Sequence, residues 1–268
     1  SIAVLPFENK GAKEDDFYAY GISSDLISDV TSTGMIRVAG LNDIEKLDYS
    51  SMSYKDLSDK LLVRYVAKGT LWKMDTMFQL SMELFDTKNS EVVWSNRWQT
   101  AWRDLATIKD DLSNNILENL NIIITKNVEQ INMASNPEAY EYYLKGQYKF
   151  EKRVTLEDLM VARGFYQKAV ELDSTLITAM IKLAKTFQYT NEFDTYMELS
   201  RKALNKAKKM GDKTNQAYAY MGIGTAYYFR DGDIDKAQEY YLKGDEIAQE
   251  VGDKVLQTYF LNNLSITY

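Results

Sequence analysis

Gly211-Asp212-Lys213 and Gly252-Asp253-Lys254 are one triplet met twice, 41 residues apart. Each copy follows a helical stretch rich in small residues and precedes one rich in tyrosine. A fixed period of this size marks stacked helical units that bury their apolar faces only against neighbours. Such arrays typically hold partners and rarely do chemistry. The C-terminal half of this 268-residue chain is therefore read first as a recognition surface.

Working outward, small residues recur at Gly146, Ala184, Gly224 and Ser265, in steps of 38, 40 and 41 residues. Phe187, Tyr227 and Tyr268 lie three positions beyond the last three. The second helices carry Ala162/Tyr166/Ala169, Tyr196/Ser200/Ala203 and Ala237/Tyr241/Gly244. Small and aromatic residues alternating at these offsets let neighbouring helices approach and interlock. Pro137, behind Ala134-Ser135-Asn136, signals a loop before the first of these helices. All four tryptophans precede it, and fifteen of the twenty tyrosines follow it. That contrast predicts two domains, 1–133 and 134–268.

The first segment mixes periods. Ile2 to Phe7 is a short apolar run that suits a buried strand. Asp15 to Val30 predicts a helix with acidic residues at its start, ended by Gly34. Ile36 to Ala39 predicts a second strand, and Asn42 to Leu62 one or two helices broken around Tyr49-Ser50-Ser51. The period then becomes two: Phe78, Leu80, Met82 and Leu84 alternate with Gln79, Ser81 and Glu83. Strands are predicted on either side, over 63–72 and 91–100, and a long helix from Trp102 to Val128 closes the segment. The fold expected is an α/β mixed-sheet N-terminal domain followed by an all-α superhelix of about three and a half helix pairs, cut off at Tyr268.

Composition removes several function classes. The net charge is −7 and the pI about 4.9, without the basic face of a nucleic-acid binder. There is no cysteine and no histidine. That excludes thiolate metal sites, Ser-His-Asp and Cys-His catalysis, and the common zinc sites. Neither cofactor nor metal is expected. The run Ile122-Ile123-Ile124 is far short of the roughly 20 residues needed to span a bilayer. Beginning at Ser1 inside a strand pattern and ending at Tyr268 inside a helical one, the chain is expected to be part of a longer protein.

The repeat pattern over 138–268 resembles tetratricopeptide repeats in a long variant. It departs from them at Arg153 to Glu157, which are extra residues, and at Asp173-Ser174, where Asp-Pro is usual. Four N-terminal stretches resemble the TolB-like amino-terminal domain: Ser1 to Asn9 (SIAVLPFEN), Phe17 to Ile27 (FYAYGISSDLI), Val63 to Leu71 (VRYVAKGTL) and Val93-Trp94-Ser95. The resemblance implies the C-terminal, non-catalytic part of a bacterial class III adenylate/guanylate cyclase, or the sensor of a membrane-anchored winged-helix transcription regulator. It implies an effector upstream and a place on the periplasmic side of a single-pass inner-membrane protein, with the cytoplasm as the alternative. No stretch resembles the cyclase domain, so no catalytic residue is assigned here.

Several local motifs compete with bland readings. Asp231, Asp233 and Asp235 alternate as a calcium loop begins, but Lys236 and Leu242 stand where such a loop needs glycine and glutamate. Capping of a helix by Asp233 or Asp235 is the expected role. Glu14-Asp15-Asp16 is expected to cap a helix rather than to do acid–base work. Ser23-Ser24-Asp25 is read as surface helix, and Arg201, Lys202, Lys206, Lys208 and Lys209 as a solvated outer face over Ala203, Leu204 and Ala207.

The positions expected on the concave side of the array are Tyr140, Tyr143, Gln147 and Phe150 in repeat one. Repeat two gives Thr178, Ile181, Lys185 and Gln188, and repeat three Tyr218, Met221, Thr225 and Tyr228. A strip of tyrosine, methionine and hydrogen-bonding groups suits a peptide or protein partner, because tyrosine offers large contact area at low entropic cost. The alternative is that the strip is filled by the chain itself, for example by the helix from Trp102. A homodimer, through the last repeat, is the second functional expectation.

Overall fold

The structure, a computed structural model, describes residues 1–122 and 135–267. It divides into two compact units, 1–127 and 128–268. The boundary expected at 133/134 and the expected helical residues 123–128 lie outside the described residues.

The first unit is built on one mixed sheet. Strands β1 (Ile2–Val4) and β2 (Glu8–Asn9) both run parallel to β3 (Tyr65–Met74). Strands β4 (Met77–Asp86) and β5 (Glu91–Ala101) continue antiparallel, giving the order β1-β3-β4-β5. Pro6 explains why the first strand is split. Having no N–H, it cannot donate to the ladder, and the next donor, Phe7 N, turns to Ser23 Oγ at 2.7 Å. The Phe7 ring then lies on Gly69 of β3, where an added Cβ would come within 2.7 Å of it. The hydroxyl of Ser23 donates onward to the Ala19 carbonyl at 2.7 Å.

Alternation decides which side of the sheet is covered. Phe78, Leu80, Met82 and Leu84 of β4 are buried beneath helices α1 (Asp16–Ser32) and α4 (Leu105–Asn119). Tyr18 of α1 meets Phe78 edge-on at 4.8 Å. On the other face, α2 (Leu41–Glu45) and α3 (Tyr54–Leu61) cover only the β1 end, in a small core of Ala3, Leu5, Ile44, Leu57 and Val66. Tyr54 reaches over to Phe85 and donates its hydroxyl to the Glu83 carboxylate. Arg64 grips Asp86 with two hydrogen bonds, 3.2 and 2.6 Å, joining the start of β3 to the end of β4. That guanidinium, foremost among the causes, holds the Asp86 carboxyl below the usual carboxylate range.

Three expectations need correction. Ile36 to Ala39 makes a single bridge, Val38 to Ile2, and no strand: β1 is three residues long and offers only the Ile2 N–H and carbonyl at that edge. The closing helix stops at Asn119, and Asn121 follows in the left-handed region at φ 56°. Ser23 is fully buried and Asp25 nearly so; the serine is where the Phe7 amide is satisfied, not a surface position.

The second unit is helical throughout its described residues. The pairs are α5 (Pro137–Glu151) with α6 (Leu156–Leu172), α7 (Ile177–Gln188) with α8 (Phe193–Met210), and α9 (Lys213–Ala226) with α10 (Ile234–Val251), followed by α11 (Lys254–Ser265). The repeated triplet is one mechanism used twice. Gly211 and Gly252 end their helices in the left-handed region, at φ 73° and 81°. Asp212 and Asp253 then accept the amides of Asn215 and Leu256, capping the next helix. At the first such junction Asp173 serves instead. It accepts from Thr175 on one oxygen and from the amide and hydroxyl of Ser135 on the other, at 2.8 and 2.9 Å.

Within the pairs a bare backbone receives a ring. A Cβ on Gly146 would stand 2.7 Å from Tyr166, and one on Gly224 2.7 Å from Tyr241. Gly244 does the same between successive pairs, against Phe260 of α11. Ala184 is buried, Ser265 is exposed, and Tyr268 lies outside the described residues. Arg163 ties the first two pairs together. It donates to the hydroxyls of Thr186 and Thr190, to the Thr186 carbonyl and to Glu192.

Candidate partner-binding groove

The first helices of repeats two and three touch directly, so their expected strips adjoin. On α7, Thr178, Ile181 and Gln188 are half-buried and Lys185 is exposed. On α9 and the π-helical turn after it, Tyr218, Met221 and Tyr228 are half-buried. Each apolar member leans on the packing behind it: Ile181 on the core between α7 and α9, and the other three on the core between α9 and α11. Asn215 donates to Thr178 Oγ1 at 3.3 Å, fixing α9 to α7 at one end of the strip. The Tyr218 hydroxyl is pushed above the usual tyrosine range, first by burial and then by the Asp253 carboxylate.

Repeat one does not contribute as expected. Tyr140, Tyr143, Gln147 and Phe150 are all buried, and so is Thr225 of repeat three. Tyr143 lies 5.8 Å from the Tyr140 ring and 6.2 Å from Tyr166, and Phe150 lies 6.3 Å from Tyr166. Rings that can bury against one another gain about 25 cal/mol for each Å² of apolar surface removed from water, so they turn inward. Thr225 is occupied by the Tyr241 hydroxyl at 3.2 Å. Tyr143, Gln147 and Thr225 are therefore packing residues. The open strip consists of Ile181, Lys185, Gln188, Tyr218, Met221 and Tyr228.

A residue not singled out from the sequence borders that strip. The Arg153 guanidinium lies over the Phe150 ring at 4.0 Å and over Tyr189 at 4.5 Å, and it donates to the Phe150 carbonyl at the end of α5. Lys185 Nζ approaches the same Phe150 ring at 6.0 Å. Two cations thus share one aromatic ring. Lys185 has no hydrogen-bonding or salt-bridge acceptor among the described residues. Although the side chain presents area to solvent, its ammonium is held below the ordinary lysine value. Desolvation is the main cause; Arg153 adds to it and Glu151 opposes it. The signal for Arg153 was a basic residue just past an aromatic-ended helix, within the extra residues of repeat one.

The remaining motifs have structural roles. Asp233 accepts the Lys236 amide at 3.0 Å and caps α10, while Asp231 is held by Arg230 at 2.8 Å. Asp15 pairs with Lys73 at 3.2 Å and Asp16 accepts from Asn9 at 2.8 Å, anchoring the start of α1 to the sheet. On α8, Arg201 donates to the Tyr227 hydroxyl and Lys202 pairs with Glu198, above buried Ala203, Leu204 and Ala207. Among the described residues no helix is long and apolar enough to cross a membrane.

No family model matches the chain. A curated relative, "Putative adenylate cyclase 3" of Rhizobium meliloti (strain 1021), is 24% identical over 188 residues, which is 69% of this chain and 32% of the relative. The chain thus spans about a third of that protein's length. Among solved structures, TolB from Acinetobacter baumannii covers 44% of this chain and 27% of its own at 14% identity, with a TM-score of 0.35. MamA covers 57% and 74% at 22% identity, also with a TM-score of 0.35. BtubC from P. vanneervenii covers 62% and 68% at 17% identity, with a TM-score of 0.43. The chain itself combines an α/β mixed sheet with an all-α array of paired helices.

Proposed function

We propose that this chain is a non-catalytic, partner-binding region of a larger signalling protein, and that a peptide or protein segment lies along Ile181, Lys185, Gln188, Tyr218, Met221 and Tyr228. The observation that carries the reading is that this strip stays open on α7 and α9 while the residues behind it are closely packed. A rigid wall with half-exposed tyrosine and methionine and one unpaired cation suits an amphipathic segment with an acidic group. The similarity to a named adenylate cyclase supports a cyclase as the parent protein; in our reading it is of class III, its effector lies outside this chain, and this region is on the extracytoplasmic side. In that arrangement the chain makes no bonds in any substrate and takes no nucleic acid. Its ligand would act by binding one of two arrangements of the parent more tightly than the other.

The test is recovery of partners by the immobilised chain, comparing wild type with the double variant Lys185→Glu, Tyr228→Ala. The double variant is expected to lose the specifically retained protein. Equal recovery by both rejects the groove.

A further inference from the structure

The outward face of α6 is apolar where a solvated helix face should not be. Leu156 is 64% exposed, Met160 47% and Val161 41%. One turn further, Gly164 opens onto empty space: a Cβ there would meet nothing within 4 Å. At 100° per residue these positions, with Glu157 and Lys168, fall on one side of the helix. The packed residues Leu159, Ala162, Tyr166 and Ala169 fall on the other. Glu157 and Lys168 have no hydrogen-bond or ion-pair partner among the described residues. Eleven residues apart, they stand roughly 16 Å from each other along the helix and cannot meet within one chain.

Gln167 and Glu171 also lie on this face but are taken up by each other, at 3.1 Å; the remaining features run acid, apolar knob, opening, base. That order is its own complement when reversed. We propose that two copies of this chain associate through α6, antiparallel, about a two-fold axis passing between residues 162 and 163. Glu157 then stands opposite Lys168 of the second copy, twice over. Val161 and Met160 face the opening left by Gly164 of the second copy, where the missing side chain lets the backbones approach. A two-fold contact of this kind is self-complementary by construction. The parallel alternative is disfavoured because it sets Glu157 against Glu157. One helix face buries less than the roughly 1,600 Å² of a standard interface, so the dimer is concentration-dependent. The proposal does not rest on the groove, which lies on other helices.

The test is sedimentation velocity on the 268-residue chain from about 1 to about 500 μM. The weight-average mass is expected to rise from 30.9 kDa towards twice that value. Gly164→Gln fills the opening from a position where an added Cβ meets nothing within 4 Å, and replacing a helix-interior glycine with a better helix former keeps the thermal midpoint level or higher. It is expected to weaken association about tenfold or more. Glu157→Lys and Lys168→Glu each bring like charges together and are expected to weaken it, whereas the double reversal restores it. A mass fixed at 30.9 kDa over the whole range overturns the proposal. So does a dimer indifferent to Gly164→Gln, or a double reversal no better than the single changes.

Discussion

The two units solve the same problem, covering apolar surface, over different distances along the chain. In the sheet unit, Ile2 pairs with Tyr65 and the Phe7 ring lies on Gly69, so closure joins segments about sixty residues apart in sequence. In the repeat unit, Gly146 is met by Tyr166, Gly224 by Tyr241 and Gly244 by Phe260, and each seam is closed within about twenty residues. A unit closed over long loops should come apart as a whole. One closed by neighbours should lose stability piecewise.

Removing a ring from a seam is the severest test. Tyr166 is fully buried against Gly146, Tyr143 and Phe150, and Tyr166→Ala is expected to cost about 3–5 kcal/mol. Hydrogen exchange should show loss of protection in α5 to α7 with the sheet amides unchanged. Protection lost evenly across both units would break the contrast. A smaller effect is expected from Ser23→Ala, which strands the buried Phe7 amide at a cost of about 1–3 kcal/mol. Here the whole sheet unit should exchange faster, β3 and β4 included. A change confined to α1 would mean that closure there is as local as in the repeats.

The mildest effect concerns Lys185, whose charged form the fold disfavours. Its folded pKa lies below the unfolded value, so the unfolded chain binds the extra proton between the two. The cost is therefore fully present below the folded value and fades as pH rises through it towards the unfolded one. Lys185→Met is expected to melt slightly higher than wild type at pH 7, and the gap should shrink at alkaline pH. A gap independent of pH would show that packing, not charge, separates the two proteins.

What could be read ahead from the sequence follows the same division. Gly211, Asp212, Gly252 and Asp253 act through their immediate neighbours, so the triplet announces both the turn and the cap. Ser23 looks like an exposed helix serine because its partner is created by Pro6, which reroutes the Phe7 amide onto another element. The strip shows the limit within the repeats themselves. Tyr140 and Tyr218 occupy equivalent positions, yet only Tyr218 stays partly open, because Tyr140 stacks on Tyr143 within a ring cluster that includes Tyr166. Arg153 escaped notice because its importance comes from Phe150 and Tyr189, brought beside it by two different helices.

Asp173 holds more than a turn. One of its oxygens grips Thr175 at the start of the second pair, and the other grips Ser135 just ahead of the first. A pull on the chain at Ser135 is therefore shared at once with the junction leading into α7, not borne by α5 alone. That carboxylate works as a strain relief, like the knot that keeps a tug on a cable from reaching its first solder joint.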